Sequence, residues 1–246
     1  MVNYVLVHGG WHGAWCWDKV VPLLQAAGHS VYAPTLTGLG EQAALLTPEI
    51  GLDTHIQDVV NLIETKELQQ VILVGHSYSG MVITGVADRV PDRIAHLVYL
   101  DAVVPRDGQS LADTVPFVGT MLRRDANNNG DGWRINPPRE RPHGRGGLFD
   151  VTEEPDLGLV RSKITPQSLK TFFQPVHITY PDAVAAVPHT YIECTRRGVI
   201  VWLMRRIFMR FSPLNEPGWN RRTLASGHDA MIIMPQAVAD LLLEFA

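Results

Sequence analysis

Cysteine is scarce in this chain. Its 246 residues hold only Cys16 and Cys194, far apart and forming no CxxC pair, so the sequence offers no disulfide framework and no metal site. That usage fits a reduced, cytoplasmic protein. Long hydrophobic runs are missing as well. The most apolar window, "GVIVWLMRRIFMRF" over 198–211, is too short to span a bilayer and carries Arg205, Arg206 and Arg210. It reads as a core helix whose arginines reach solvent. Basic excess is absent too: 21 Lys and Arg against 25 Asp and Glu give a net charge of -4, which leaves no electrostatic footprint for nucleic acid. The first residues lack a basic region and a small-residue cleavage site, so no signal peptide is expected. No internal repeat is visible.

What is present is an apolar chain, 46% hydrophobic and 19% charged, long enough to bury one sizeable core. Strand-like runs alternate with helical patterns. "YVLVHG" (4–9), "SVYAPT" (30–35), "QVILVGH" (70–76) and "IAHLVYLDA" (94–102) read as strands. Between them, Trp17, Val20, Val21 and Leu24 recur at helical spacing, as do Ile56, Val59, Val60 and Ile63, and "GMVITGVADRV" forms a small-residue helix. This alternation predicts an α/β fold with a mostly parallel central sheet flanked by helices. From Pro105 to Pro188 the pattern breaks into Pro-, Gly-, Asn- and Arg-rich sequence, interrupted by a helical piece, "PQSLKTFFQ". Such an excursion suits an inserted cap better than a loose connector. The expected organisation is a core of 1–104 and 189–246 with a mainly helical cap over 105–188. A strand at "HTYIECT", another in "WNRRTLASGH" and a helix from Pro235 close the chain.

The chemistry gathers around "VILVGHSYSG" (71–80). A nucleophile on a sharp strand-to-helix turn needs small residues two positions before and after it. With Ser77 as nucleophile these are Gly75 and Ser79; with Ser79 they become Ser77 and Met81, and methionine would collide. Ser77 also follows directly on a buried strand. The plain alternative for it is a helix cap. Among ten histidines, His228 in "LASGHDAM" stands after the final strand and before the last helix, where a general base is delivered in the order Ser, acid, His. His8, His12 and His76 lie near strand ends and are candidates for a pocket wall. The oxyanion of acyl transfer needs two preorganised amides. The expected donors are Tyr78, directly after the nucleophile, and Gly10 in "HGGWHGAWCW". Gly9, Trp11, His76 and Trp133, with Trp15, Phe172 and Phe173, are candidate pocket residues, though the aromatics suit plain core equally.

"YVLVHGGWHGAWCWDKVVPLLQAAGH", "GHSYSG" and "SGHDAM" together resemble the plant methylesterase and hydroxynitrile lyase branch of the α/β-hydrolases. They resemble still more its bacterial carboxylesterase relatives, some of which hydrolyse pyrethroids. The resemblance implies a core sheet with a mostly helical cap, no cofactor, and hydrolysis of small hydrophobic esters. Two departures stand out. Lyase members place a threonine after the first-loop histidine and a lysine after the catalytic histidine; here those positions are Gly9 and Asp229, which favours esterase over lyase. Plant members also carry an aspartate after the strand equivalent to "TYIECT", where this chain has Gly198 and no further acid until Glu216. Asp101, at the end of the strand after the elbow helix, is the better-placed substitute, with Glu193 the other candidate.

The expected protein is thus a serine carboxylesterase with Ser77, His228 and Asp101 as triad. A ligand-binding protein on a hydrolase fold is the reading a missing acid would favour, and lyase or amidase chemistry is the third. A homodimer is compatible with all three, and no motif marks its surface.

Overall fold

The computed structural model describes residues 1–114, 117–138, 147–196 and 212–246. Six strands make one sheet: β1 (Asn3–Val7), β2 (Ser30–Tyr32), β3 (Val71–His76), β4 (Ile94–Leu100), β7 (His189–Cys194) and β8 (Asn220–Leu224). They lie in the order β2-β1-β3-β4-β7-β8, and every pairing is parallel. Each residue of β3 is buried, which its run of Val, Ile and Leu tolerates because both faces of a parallel sheet are covered. The register aligns the strand ends: His76 pairs with Leu100, and Leu100 with Ile192. The residues that follow β3 and β4, Ser77 and Asp101, therefore emerge side by side. Ligands bind at this carboxyl edge in open parallel sheets.

Helices α1 (Val21–Ala26), α2 (Leu52–Thr65), α3 (Ser79–Arg89), α9 (Ala230–Ile233) and α10 (Pro235–Leu243) flank the sheet. The spacing of Ile56, Val59, Val60 and Ile63 buries one face of α2, as read from sequence. Helix α1 begins later than the apolar spacing suggests. A short 3-10 turn holds Ala14–Trp17, and Pro22, which lacks an amide proton, fits only the first helical turn.

Between β4 and β7 lie α4 (Leu111–Thr114), α5 (Val118–Asn129), α6 (Asp156–Lys163), α7 (Lys170–Phe173) and α8 (Pro181–Ala186). A two-stranded antiparallel ribbon joins β5 (Arg134–Ile135) to β6 (Gln167–Ser168). The helix expected over 166–174 is therefore confined to Lys170–Phe173. Pairing of Gln167 and Ser168 with Ile135 and Arg134 takes the first residues into an extended ribbon, overriding local preference. The Arg-bearing helix expected over 198–211 lies outside the described residues. Among those described, no helix is long and apolar enough to cross a membrane.

Candidate active site

Ser77 sits at the β3–α3 turn with φ +55°, a left-handed conformation that costs a non-glycine residue roughly 1–3 kcal/mol. Three hydrogen bonds hold it there. Its N–H donates to the Leu100 carbonyl at 3.3 Å, and its carbonyl accepts from Gly80 at 3.2 Å and Val103 at 3.0 Å. The turn leaves no room for side chains around it. A Cβ on Gly75 would lie 2.7 Å from the Ser79 carbonyl oxygen, and one on Gly80 would lie 1.8 Å from that of Val103. Ser79 is wholly buried, and its hydroxyl donates to the His8 carbonyl. Ser77 alone among residues 71–88 keeps partial exposure.

His228 reaches this serine from the turn after β8. Its Nε2 lies 2.8 Å from Ser77 Oγ, and its Nδ1 lies 2.6 Å from Asp101 Oδ2. Asp101 is itself held in place: φ is +49°, its N–H donates to the Ile192 carbonyl at 2.8 Å, and its Oδ1 accepts from the Cys194 N–H at 3.3 Å. Its side chain is wholly buried. Glu193, the other candidate acid, lies within β7 opposite Thr223, and Gly198 lies outside the described residues.

The His228 turn is fastened from behind and from above. His76 Nε2 donates to the His228 carbonyl at 3.0 Å. The Asp229 N–H donates to the Phe149 carbonyl at 3.0 Å, and the Asp150 carboxylate lies near the His228 backbone amide, which favours its charged form. Burial raises the Asp150 pKa, and Asp229 adds to that rise, while the His228 imidazole opposes it.

Gly10 and Tyr78 face each other across the elbow: a Cβ on Gly10 would lie 3.7 Å from the Tyr78 Cβ. Among the described residues neither amide donates to a protein acceptor. The Tyr78 ring is fixed beneath Phe172, with centroids 5.5 Å apart, and its hydroxyl donates to His55 Nδ1 at 2.9 Å. His55 accepts there because its Nε2 donates to the Thr37 carbonyl at 3.0 Å. Burial lowers the His55 pKa to about 4.

The expected pocket residues divide. The Gly9 backbone lies against Ser77, whose Cβ would be 3.1 Å from a Gly9 Cβ. Trp11 is nearly buried, and its ring meets Phe172 at 5.3 Å and Phe149 at 6.2 Å. The three histidines expected to line a pocket require correction, because His8, His12 and His76 are all wholly buried and offer a substrate no surface. Each ring nitrogen of His8 and His12, and His76 Nε2, is instead committed to protein groups. Burial lowers the His8 pKa to about 3 and pushes that of His76 well below the ordinary range. Trp133 bonds with Gly130 and Leu169 and carries the Arg134 guanidinium 5.4 Å from its ring, with no hydrogen bond or ring contact to the serine or histidine. Trp15 stacks on His12 at 5.2 Å, and Phe173 lies under Arg123 at 4.0 Å.

Two residues with no expected role stand at the site. Gln167 and Asp229 reach the loop that follows β1 or its supports. Asp229 was visible only as a departure from the lyase pattern, and a lone glutamine in an irregular segment gives no signal. No group of three or more His, Cys, Asp or Glu among the described residues is arranged to hold a metal.

Comparison with known proteins agrees with this fold. The model of the alpha/beta hydrolase family matches residues 4–241. The chain is 38% identical to the carbendazim hydrolyzing esterase of Nocardioides sp. (strain SG-4G), over 98% of both chains. It is 27% identical to Methylesterase 1 of Arabidopsis thaliana, over 99% of this chain and 95% of that one. Among solved structures, an extracellular alpha/beta-hydrolase from a Paenibacillus species superposes with a TM-score of 0.79 at 24% identity, covering 100% and 99% of the two chains. A pyrethroid hydrolase from Sphingobium faniae JZ-2 superposes at 0.71 and 22% identity, over 99% and 96%. This chain belongs to the alpha/beta hydrolase family.

Proposed function

We propose that this protein is a serine carboxylesterase that hydrolyses small hydrophobic esters through a covalent acyl-enzyme. The observation that carries the reading is the unbroken hydrogen-bond relay from Ser77 Oγ through His228 to Asp101, at 2.8 and 2.6 Å. Those separations are within the reach a base needs to take a proton from its nucleophile.

Ser77 Oγ attacks the ester carbonyl carbon while its proton passes to His228 Nε2. Asp101 holds the imidazole with its proton on Nδ1 and stabilises the imidazolium that forms. The Gly10 and Tyr78 amides donate to the oxyanion. The tetrahedral intermediate collapses, and the alkoxide leaves as alcohol with the proton from His228. A water then gives its proton to His228 Nε2 as its oxygen attacks the acyl carbon, and collapse returns the proton to Ser77 and frees the acid. The esterase and methylesterase activities in the names of full-length relatives support this assignment. The ligand-binding reading depended on an absent acid, and the position of Asp101 removes its motive. Lyase chemistry of the resembling branch uses a lysine where this chain has the wholly buried Asp229. Residues 105–188 serve as the cap over this site. Neither Cys16 nor Cys194 is in a disulfide, which supports a cytoplasmic setting.

The test is hydrolysis of aryl and alkyl acetates, with carbendazim as a further substrate. Ser77→Ala abolishes turnover, and Asp101→Asn lowers kcat by about 10⁴-fold while leaving the fold intact. Turnover by Ser77→Ala at the wild-type rate overturns the mechanism. A silent Asp101→Asn beside a crippled Glu193→Gln transfers the role of acid to Glu193.

A further inference from the structure

The loop after β1 is gripped from two sides. Within it, the peptide joining Gly10 to Trp11 is pinned at both of its polar ends. Its carbonyl accepts from His12 Nδ1 at 2.7 Å, and its N–H donates to Gln167 Oε1 at 2.9 Å. A further bond runs from the Thr165 N–H to the Trp11 carbonyl at 2.9 Å. Trp11 itself has φ +64°, a conformation that persists only where its surroundings impose it.

Each pin is braced in turn. Gln167 is wholly buried; its Nε2 donates to Thr171 Oγ1 at 2.8 Å, and that hydroxyl donates to the Ser168 carbonyl at 2.7 Å. This chain of bonds fixes which end of the amide is oxygen. On the other side, His12 Nε2 lies 3.0 Å from Asp229 Oδ2, with both side chains at 0% exposure. A carbonyl only accepts, so His12 Nδ1 carries a proton, and the bond between Nε2 and the carboxylate uses a second proton held between the two. The ring is sandwiched between Trp15, stacked at 5.2 Å, and Phe149, edge-on at 4.6 Å.

Pinning that peptide has a consequence one bond earlier. Gly9 and Gly10 lack side chains and rotate freely about their own backbone. Fixing the plane after Gly10 restricts its ψ, and with it the direction of the Gly10 N–H. This amide has no protein acceptor among the described residues, and its residue adjoins Tyr78. An oxyanion hole works because its donors need no reorganisation when charge develops.

We propose that Gln167 and the His12–Asp229 pair are positioning residues of the oxyanion hole. Gln167 comes from the segment between β4 and β7, so that segment takes part in the chemistry as well as covering the site. Asp229, next to the base in sequence, serves the oxyanion loop and not the imidazole of His228. The proposal rests on the serine-esterase reading above.

The decisive variant is Gln167→Met, which keeps length and burial and removes the acceptor of the Trp11 amide. It is expected to lower kcat about 10- to 100-fold through displacement of the donor, with KM nearly unchanged. Affinity for a trifluoromethyl ketone, which forms an oxyanion on the serine, falls by the same factor, while affinity for the matching unreactive ester isostere holds. Asp229→Asn keeps a hydrogen bond to His12 and is expected to lose less than about tenfold, against the about 10⁴-fold loss that removal of a triad acid brings. A folded Gln167→Met enzyme with wild-type kcat and ketone affinity overturns the proposal, as does a triad-sized loss in Asp229→Asn. If Gln167→Met does not fold, Thr171→Val loosens the same amide. Its expected result is a smaller fall in kcat and ketone affinity together, and no fall in either is refutation. Activity surviving in Ser77→Ala refutes the underlying mechanism, whereas an inert Ser77→Ala beside an unaffected Gln167→Met refutes the clamp alone.

Discussion

Ser79 occupies a position where the elbow has almost no free volume, and its hydroxyl is spent on the His8 carbonyl at the start of the oxyanion loop. Replacing it with glycine leaves that buried carbonyl without its donor, at a cost of about 1–3 kcal/mol, and leaves the serine–histidine geometry alone. Ser79→Gly is therefore expected to melt at a lower temperature and keep kcat. Ser79→Leu must push α3 away from the loop that follows β1 and is expected to be inactive; an active Ser79→Leu enzyme shows that the packing is looser than described. The choice of Ser77 over Ser79 as candidate nucleophile rested on this same crowding, since Met81 has no place two residues after it. The acid was harder. Asp101 was preferred to Glu193 because it ends its strand while Glu193 lies inside one, and the register that pairs Leu100 with Ile192 sets that strand end facing His228. Gln167 was invisible, because its role comes from a ribbon pairing that no local pattern encodes.

The contact between α3 and its neighbours sets how each small residue there can change. A Cβ on Gly80 would strike the backbone carbonyl of Val103 at 1.8 Å, and a backbone atom yields only if the chain moves. A Cβ on Gly85 would strike the Ile56 Cδ1 at 2.3 Å, the end of a side chain that can turn aside. Gly80→Ala is thus expected to displace the elbow and reduce kcat by roughly 100-fold or more, while Gly85→Ala costs stability and spares activity. Equal kinetic losses in both variants, measured beside their melting temperatures, contradict this division. At this scale the strands were legible from β-branched runs and α2 from its spacing, since burial imposes both patterns. The short elements between β4 and β7 were not, because their form depends on pairing with distant residues.

Across the whole molecule, buried histidines link stability to pH. His8 and His55 are held neutral with pKa values of about 3 and about 4, chiefly by burial. Each also commits one nitrogen as an acceptor, His8 to the Leu36 amide and His55 to the Tyr78 hydroxyl. A histidine lowered in the fold costs nothing above its unfolded value near 6.5. Below that, the unfolded chain binds the extra proton, and each such group removes about 1.4 kcal/mol per pH unit until its folded value is reached. His76, also lowered, acts in the same direction. Between pH 6.5 and pH 5 the melting temperature is expected to fall by roughly 10 °C, at a few degrees per kcal/mol. A melting temperature constant over that interval shows that these rings are not held neutral.

The order of the strands also has a bearing on synthesis. Ser77 and Asp101 leave the ribosome early and pair through adjacent strands, but their histidine follows β8, the outermost strand of that side of the sheet. A nascent chain can thus set Ser77 in its turn well before His228 arrives, whereas Asp101 waits for its partners Ile192 and Cys194. Until the last strand docks, the growing polypeptide carries an unarmed serine, inert towards any ester it meets.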